Sequence, residues 1–281
     1  DHDYERLKQE QLAMLCRRAQ ALPVGRGMFT LNQLKYVPSE PLPIPELNLT
    51  GKVPPSNATL YLDRSAHPTT MSVWPEFHNG VAAGLRLPAY QKGGNELCTK
   101  INRAWIISNR AVGKPSPVNP GQAGGNNQDE SDDRTPSHAH GGLLLALGIR
   151  GHLDGLAMTD VFNYLTKGTV TTSVGVLLGM AASKRSSCDP QVSKMLCLHI
   201  PSLLPASFST IEIAGPAHAS AVNGIGLLYQ GSAHRLMTEF LLNELGRKPV
   251  QDSNDNGREA YTLSCGLALG MVNLGGGDST E

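Results

Sequence analysis

Apolar positions along this chain gather into short strings bounded and interrupted by glycine. Three of them read Gly142-Leu143-Leu144-Leu145-Ala146-Leu147-Gly148, Gly175-Val176-Leu177-Leu178-Gly179-Met180-Ala181 and Gly266-Leu267-Ala268-Leu269-Gly270-Met271-Val272. Looser copies start at Gly224 and at Gly80. The starts at Gly142, Gly175, Gly224 and Gly266 lie 33, 49 and 42 residues apart, the range of two-helix solenoid repeats. Each string is apolar nearly all round, the mark of a helix buried between neighbours. A second, amphipathic helix is expected after each turn, over residues 153–165, 190–204 and 233–245, with Pro190 tolerated in a first turn and Pro201 kinking or ending its helix.

Glycine inside a helix costs about 1 kcal/mol against alanine, so its recurrence needs a packing reason. Gly80 and Gly84, Gly175 and Gly179, and Gly266 and Gly270 are each four apart and share a helix face; Gly142 has Ala146 in that place. Such small pairs let two helix backbones approach closely. These seven glycines are therefore the expected helix-packing positions. The pattern predicts a mainly α protein, an α-α solenoid over residues 73–281, with residues 1–72 forming a helix and an extended arm with little β. A buried glycine-rich helix also occurs in α/β enzymes, but that fold requires parallel strands between the helices, and helix pairs punctuated by Pro and Gly stand there instead.

In front of the repeats, residues 3–21 carry helical spacing through Tyr4, Leu7, Met14, Leu15 and Ala19, and Pro23 is expected to end the run. Val24 to Leu31 is read as extended. Residues 37–56 hold six prolines with Leu42, Ile44 and Leu47 between them, which predicts an ordered extended arm, and Thr59-Leu60-Tyr61-Leu62 reads as a strand. Residues 113–139 are polar and low in complexity, with an acidic cluster at Asp129, Glu130, Asp132 and Asp133. They have too few apolar groups to offset the entropy of ordering, so a disordered insertion is expected. Ser131, Thr135 and Ser137 are candidate phosphorylation sites there, Thr135-Pro136 fitting a proline-directed kinase.

Composition narrows the function classes. With 24 basic and 24 acidic residues among 281 and no basic tract, nucleic-acid binding is not expected. No apolar stretch approaches the roughly 20 residues of a membrane helix, and no leader pattern is read. The chain starts Asp1-His2-Asp3 and stops inside a repeat, and is read as a piece of a longer polypeptide. Five scattered cysteines without a Cys-x-x-Cys pair suit reduced thiols. Asn48-Leu49-Thr50 and Asn57-Ala58-Thr59 match the glycosylation sequon without other signs of secretion.

Catalytic chemistry is thin. No phosphate loop, dinucleotide fingerprint or nucleophile elbow occurs. His138, His140 and His152 are the candidate metal ligands, but two of them flank the insertion and no cysteine joins them, so no metal and no cofactor are expected. Cys197 and His199 read as core packing, Asp154 as a helix cap and Asp160 as a solvated position. The turns that open the second helices should line one rim of a solenoid, which makes Tyr164, Lys167, His234 and Arg235 candidate partner contacts.

Several long strings carry a resemblance. They are Leu22-Pro23-Val24-Gly25-Arg26-Gly27-Met28-Phe29-Thr30-Leu31, Glu40-Pro41-Leu42-Pro43-Ile44-Pro45-Glu46-Leu47-Asn48-Leu49-Thr50-Gly51, Phe77-His78-Asn79-Gly80-Val81-Ala82-Ala83-Gly84-Leu85, Tyr164-Leu165-Thr166-Lys167-Gly168 and Tyr229-Gln230-Gly231-Ser232-Ala233-His234-Arg235, with the string from Gly266 to Met271. Together they resemble the proteasome/cyclosome repeat family, and the proline arm places the resemblance on its cyclosome side. The resemblance implies the N-terminal part of a toroidal repeat domain, no active site, and a scaffold role in the anaphase-promoting complex, a ubiquitin ligase acting on cell-cycle regulators. It implies other subunits of that complex as partners, including the cullin–RING catalytic module and the co-activator, and residence in nucleus and cytoplasm. The alternative within the family is a scaffold of the proteasome regulatory particle that binds ubiquitin-like proteins. The insertion at 113–139 is longer and more polar than the family pattern.

Overall fold

The computed structural model describes residues 2–31, 38, 40–47, 50–61, 68–90, 99–110, 136–205, 207, 213–247 and 257–275. The first element, α1 (His2–Leu31), is a long helix built from good helix formers, with Asp3 and Glu5 in its first turn and an Arg6–Glu10 ion pair at 3.3 Å. It runs through Pro23 rather than stopping there, and Val24 to Leu31 is helical, not extended. An internal proline removes one intrahelical hydrogen bond and distorts the turn before it. The described side chains of α1 are all exposed, so no packing interface is lost to that distortion.

The arm at 40–47 forms neither helix nor strand, with Leu42, Ile44 and Leu47 half-buried and the prolines at 41, 43 and 45 exposed. Beyond it, β1 (Thr50–Val53) pairs antiparallel with β2 (Ala58–Tyr61), Thr50 opposite Tyr61 and Val53 opposite Ala58. The expected strand is thus present with a partner strand taken from the expected arm. Leu62 lies outside the described residues.

The repeats begin with α2 (Val73–Gly84), followed by the short α3 (Arg103–Ser108). Next come α4 (His138–Ile149), α5 (Met158–Lys167), α6 (Val170–Ser183) and α7 (Pro190–Cys197). The chain continues with α8 (Gly215–Leu228), α9 (Arg235–Gly246) and α10 (Gly257–Val272). The starts are encoded locally: Asn102, Ser137, Thr169 and Asp189 each accept a backbone N–H of the first turn with their side chains. Among the residues expected to be disordered, 113–135 lie outside the described residues. Residues 136–139 are ordered, because Ser137 caps α4 and Ala139 sits in its first turn against α2.

Helices α2, α4, α6, α8 and α10 form a row, each packed on the next. They are the glycine-bearing helices, and their apolar side chains make the core: Leu143, Leu144, Leu147, Leu177, Ile225 and Leu228 are fully buried. The second helices lie against this row, α5 on α6, α7 on α6 and α8, and α9 on α10. Two of them are shorter than expected. Residues 153–155 form a separate 3-10 turn before α5. Downstream, α7 ends at Cys197, and Pro201 opens its own 3-10 turn after an extended Ile200, since the residue before a proline is pushed out of the helical region. The fold is a mainly α solenoid fragment.

Candidate functional site

The glycine positions sort into two groups. A Cβ on Gly80 would overlap the Ala139 carbonyl, one on Gly142 the Phe77 carbonyl, and one on Gly175 the Gly141 carbonyl. A Cβ on Gly84 would lie 2.5 Å from Ala146 Cβ, and one on Gly179 would lie 2.8 Å from Leu144 O and 2.9 Å from Leu153 Cδ2. At Gly80, Gly142, Gly175 and Gly179 a neighbouring backbone leaves no room for a side chain, and at Gly84 the Ala146 and Leu143 side chains fill the space. Gly266 and Gly270 differ: nothing lies within 4 Å of an added Cβ at either. In α10 it is Ala268 and Met271 that meet Gly226 of α8, at 2.7 Å and 2.5 Å from its built Cβ. Residues two away from Ala268 on a helix point to its opposite side, so the Gly266/Gly270 pair faces away from the row. Gly141, Gly148 and Gly226 also sit in tight seams and were outside the four-apart pattern.

The turns after the glycine-bearing helices tie each repeat to the next by backbone. Ser186 N and Cys188 N donate to Leu227 O (3.1 Å) and Leu228 O (3.2 Å), at the end of α8. One repeat later, Gly231 N and Ala233 N donate to Met271 O (2.9 Å) and Val272 O (3.0 Å), at the end of α10. All four donors have left-handed φ, at 60°, 52°, 69° and 48°. Helix C-terminal carbonyls lack partners of their own, and these turns supply them. Three of the four donors carry a Cβ, so the geometry is held against its intrinsic cost.

The four candidate contact residues have separate fates. Lys167 is exposed in the last turn of α5. His234 caps α9, its Nδ1 accepting from Met237 N at 3.4 Å, with its ring edge-on to Tyr229. Arg235 is exposed and pairs with Glu239 at 2.7 Å. Tyr164 is not a rim residue: it is 1% exposed and belongs to a buried polar cluster. Asp160 is likewise not solvated but 4% exposed. The helix turns both inward because Val161 and Tyr164 define its core face, and Asp160 precedes Val161 on the side of α3.

That cluster joins α3, α4, α5 and the arm. His140 Nδ1 lies 3.0 Å from Asn109 O, which can only accept, so Nδ1 carries the proton. His140 Nε2 then accepts from the Tyr164 hydroxyl at 2.9 Å, and Tyr164 accepts from Arg110 Nε at 3.3 Å. Burial pushes His140 down to about 4, against the opposing hydrogen bond to Asn109 and with help from the Arg110 charge, so the ring is neutral. Burial also raises the Tyr164 hydroxyl. Asp160 accepts from Arg103 Nε and Nη2, at 2.5 and 2.7 Å, and from the Ala157 N–H at 3.3 Å. The Arg103 hydrogen bond holds its carboxyl below the ordinary range despite burial. The arm is clamped by Trp105 Nε1 donating to Glu40 O (2.7 Å), Leu42 N donating to Asn109 Oδ1 (2.7 Å), and Asn79 donating to Pro45 O. Trp105 and Asn109 were missed as functional positions; Asn102 as a helix cap ahead of an apolar Trp105-Ile106 pair is the signal that could have found α3.

The histidines are committed to this architecture. His138 bonds Thr171, and His152 bonds Pro88 O (2.8 Å) and Ile101 N (3.3 Å). Among the described residues no group of three metal-ligating side chains converges, and no helix is long and apolar enough to cross a membrane. Asp154 caps no helix; it lies in the 3-10 turn and pairs with Lys184 at 3.7 Å. Cys197 is half-buried with its thiol raised by burial, and His199 Nδ1 lies against Met195 O.

Two family models cover this architecture: APC1 fourth domain matches residues 1–185 and APC1 fifth domain matches residues 190–281. The chain belongs to the anaphase-promoting complex subunit 1 family. Among its relatives is anaphase-promoting complex subunit 1 of Homo sapiens, 44% identical over 99% of this chain and 13% of the relative. The Dictyostelium discoideum protein of the same name is 40% identical over 99% of this chain and 11% of its own length. A protein of Emericella nidulans named negative regulator of mitosis is 33% identical over 99% of this chain and 12% of its own length. The chain therefore spans about an eighth of these relatives. The boundary between the two subunit 1 family models falls between α6 and α7, whereas the sequence pattern divides the chain between residues 72 and 73.

Proposed function

We propose that this chain is a non-catalytic scaffold segment of an anaphase-promoting complex, organising the cullin–RING catalytic module and the co-activator for ubiquitination of cell-cycle regulators in nucleus and cytoplasm. The observation that supports it most is the row of five glycine-bearing helices, with backbone-close seams between α2 and α4, α4 and α6, and α8 and α10, in a chain matched by subunit 1 models over residues 1–185 and 190–281. Such a row holds surfaces at fixed distances, which is what an assembly platform requires. The buried polar groups of the first repeats support the same reading. Buried His140, Tyr164 and Asp160 bond each other, Arg103 or the backbone, and Trp105, Asn109 and Asn79 bond the arm to the repeats. The seven glycines remain proposed packing positions in the longer polypeptide, with Gly266 and Gly270 open for a further helix of the stack. Lys167, His234 and Arg235 remain proposed partner contacts.

Cross-linking mass spectrometry on the native complex tests the reading. Lys167 and Lys194, on outward-facing helices, should cross-link to other polypeptides as well as within the chain. Cross-links confined to the chain itself would count against a platform role for this surface.

A further inference from the structure

We propose that the turn between α4 and α5, residues 150–155, is a cationic dock for an acidic segment of another polypeptide, one that presents Glu or Asp side chains. Three cations meet at this turn. Arg150 stands in it, at the end of α4, with a guanidinium nitrogen donating to Leu85 O at the end of α2. Lys100 passes over it, its Cε 3.9 Å from a Cβ built on Gly155. Lys184, at the end of α6, reaches it through Asp154, with Nζ 3.7 Å from Oδ1. Lys100 is exposed, Arg150 is half-buried, and the Lys184 side chain is 36% exposed. His152, inside the turn, registers two of these charges: burial lowers the proton affinity of its ring, the hydrogen bond to Pro88 O opposes this, and Lys100 and Arg150 lower it further.

The turn is a fixed platform. Tyr90 N donates to Arg150 O at 2.8 Å, His152 Nε2 donates to Pro88 O at 2.8 Å, and Ile101 N donates to His152 Nδ1 at 3.3 Å. Its one carboxylate is Asp154, already engaged by Lys184. Lys100 and Arg150 form no ion pair among the described residues. Cations at helix C-termini complement the negative end of the helix dipole, which accounts for Arg150 and Lys184 by themselves. Lys100 belongs to no helix, so the dipole gives it no reason to be there. The charge left uncompensated calls for an anion, and complementary charge of this kind selects a partner and speeds its encounter. Lys184 shows that the site takes a side-chain carboxylate. Asp154 divides the patch, which suits separate carboxylates better than the continuous charge of a nucleic-acid strand. This surface stands apart from the scaffold reading, which does not depend on it.

The test is a fluorescence-anisotropy titration of the 281-residue chain at low salt with a labelled peptide of alternating Glu and Ser. The same peptide with Gln in place of Glu is the neutral control, and a single-stranded oligonucleotide of equal charge is the polyanion control. The Glu peptide should bind, more weakly as salt rises, and the Gln peptide should not. Lys100→Glu changes the local charge by two and should weaken binding about tenfold. Asp154→Asn removes the competing carboxylate and should tighten binding severalfold. Lys167→Glu is the control elsewhere on the surface: Lys167 precedes the start of α6, a helix length of roughly 20 Å from Lys184, and the change should leave affinity as it was. These side chains are exposed or partly exposed, so unchanged circular dichroism is expected for each variant. No binding of the Glu peptide, equal binding of the Gln peptide, equal or tighter binding of the oligonucleotide, or an affinity untouched by both Lys100→Glu and Asp154→Asn would overturn the proposal. Co-purification of ligase subunits with the longer polypeptide is a separate readout and stands or falls by itself.

Discussion

Replacing Gly179 and Gly270 by alanine should shift stability in opposite directions, although both lie four residues after another glycine in near-identical strings. At Gly179 the new Cβ would lie 2.8 Å from Leu144 O and 2.9 Å from Leu153 Cδ2. Ordinary contact needs about 3.5 Å or more, so the α4–α6 seam must open by roughly 0.7 Å. A gap of that size costs the lining atoms about a quarter to a half of their contact energy, and overpacking of this kind costs about 1–3 kcal/mol. Alanine recovers at most about 1 kcal/mol of helix propensity, which leaves Gly179→Ala destabilised by up to about 2 kcal/mol. Gly270→Ala meets nothing and should gain up to about 1 kcal/mol in this chain. Leucine widens the difference, with Gly179→Leu losing several kcal/mol and Gly270→Leu unharmed. Urea unfolding of the 281-residue chain, followed by circular dichroism, reads both. At about 2–4 °C per kcal/mol, thermal melts should separate the two alanine variants by several degrees. Shifts of the same sign would refute the assignment of tight and open glycines.

Three further outcomes follow from the same geometry. Folded His140 holds its proton only below about 4 while the unfolded chain takes it up near the ordinary 6.5, so stability should fall by about 3 kcal/mol as pH drops across that window; urea midpoints against pH should show this slope, and His140→Asn should lose it. Trp105→Phe removes the hydrogen bond to Glu40 O, worth about 1 kcal/mol, and should speed limited proteolysis within residues 40–47; unchanged cleavage would contradict the clamp. Ala233→Pro cannot adopt the φ of 48° and lacks the donor to Val272 O, so it should cost about 3 kcal/mol or more in a melt, whereas Ala233→Gly should be near neutral.

The apolar period made the row of helices legible. A helix apolar all round has to be buried, and five copies of it in sequence leave few arrangements other than a stack. Which face each glycine takes was not legible, because a four-residue spacing fixes a face without naming its neighbour. Gly266 and Gly175 occupy matching places in their strings and opposite environments in space. Pro23 misled for a related reason: proline ends helices where packing or the next segment exploits the break, and the described side chains of α1 are all exposed. Tyr164 and Asp160 looked like surface positions by residue type. Their burial depends on Arg103, Arg110 and His140, which lie 24 to 57 positions away and reach them only through the fold. The left-handed turns at Ser186, Cys188 and Ala233 left no glycine to mark them.

The most direct measurement is affinity purification of the tagged longer polypeptide with mass spectrometry of what co-elutes. A cullin, a RING protein and helical-repeat subunits in one large particle are the predicted result. Recovery of proteasomal ATPases in their place, or of the polypeptide alone, would contradict the scaffold account.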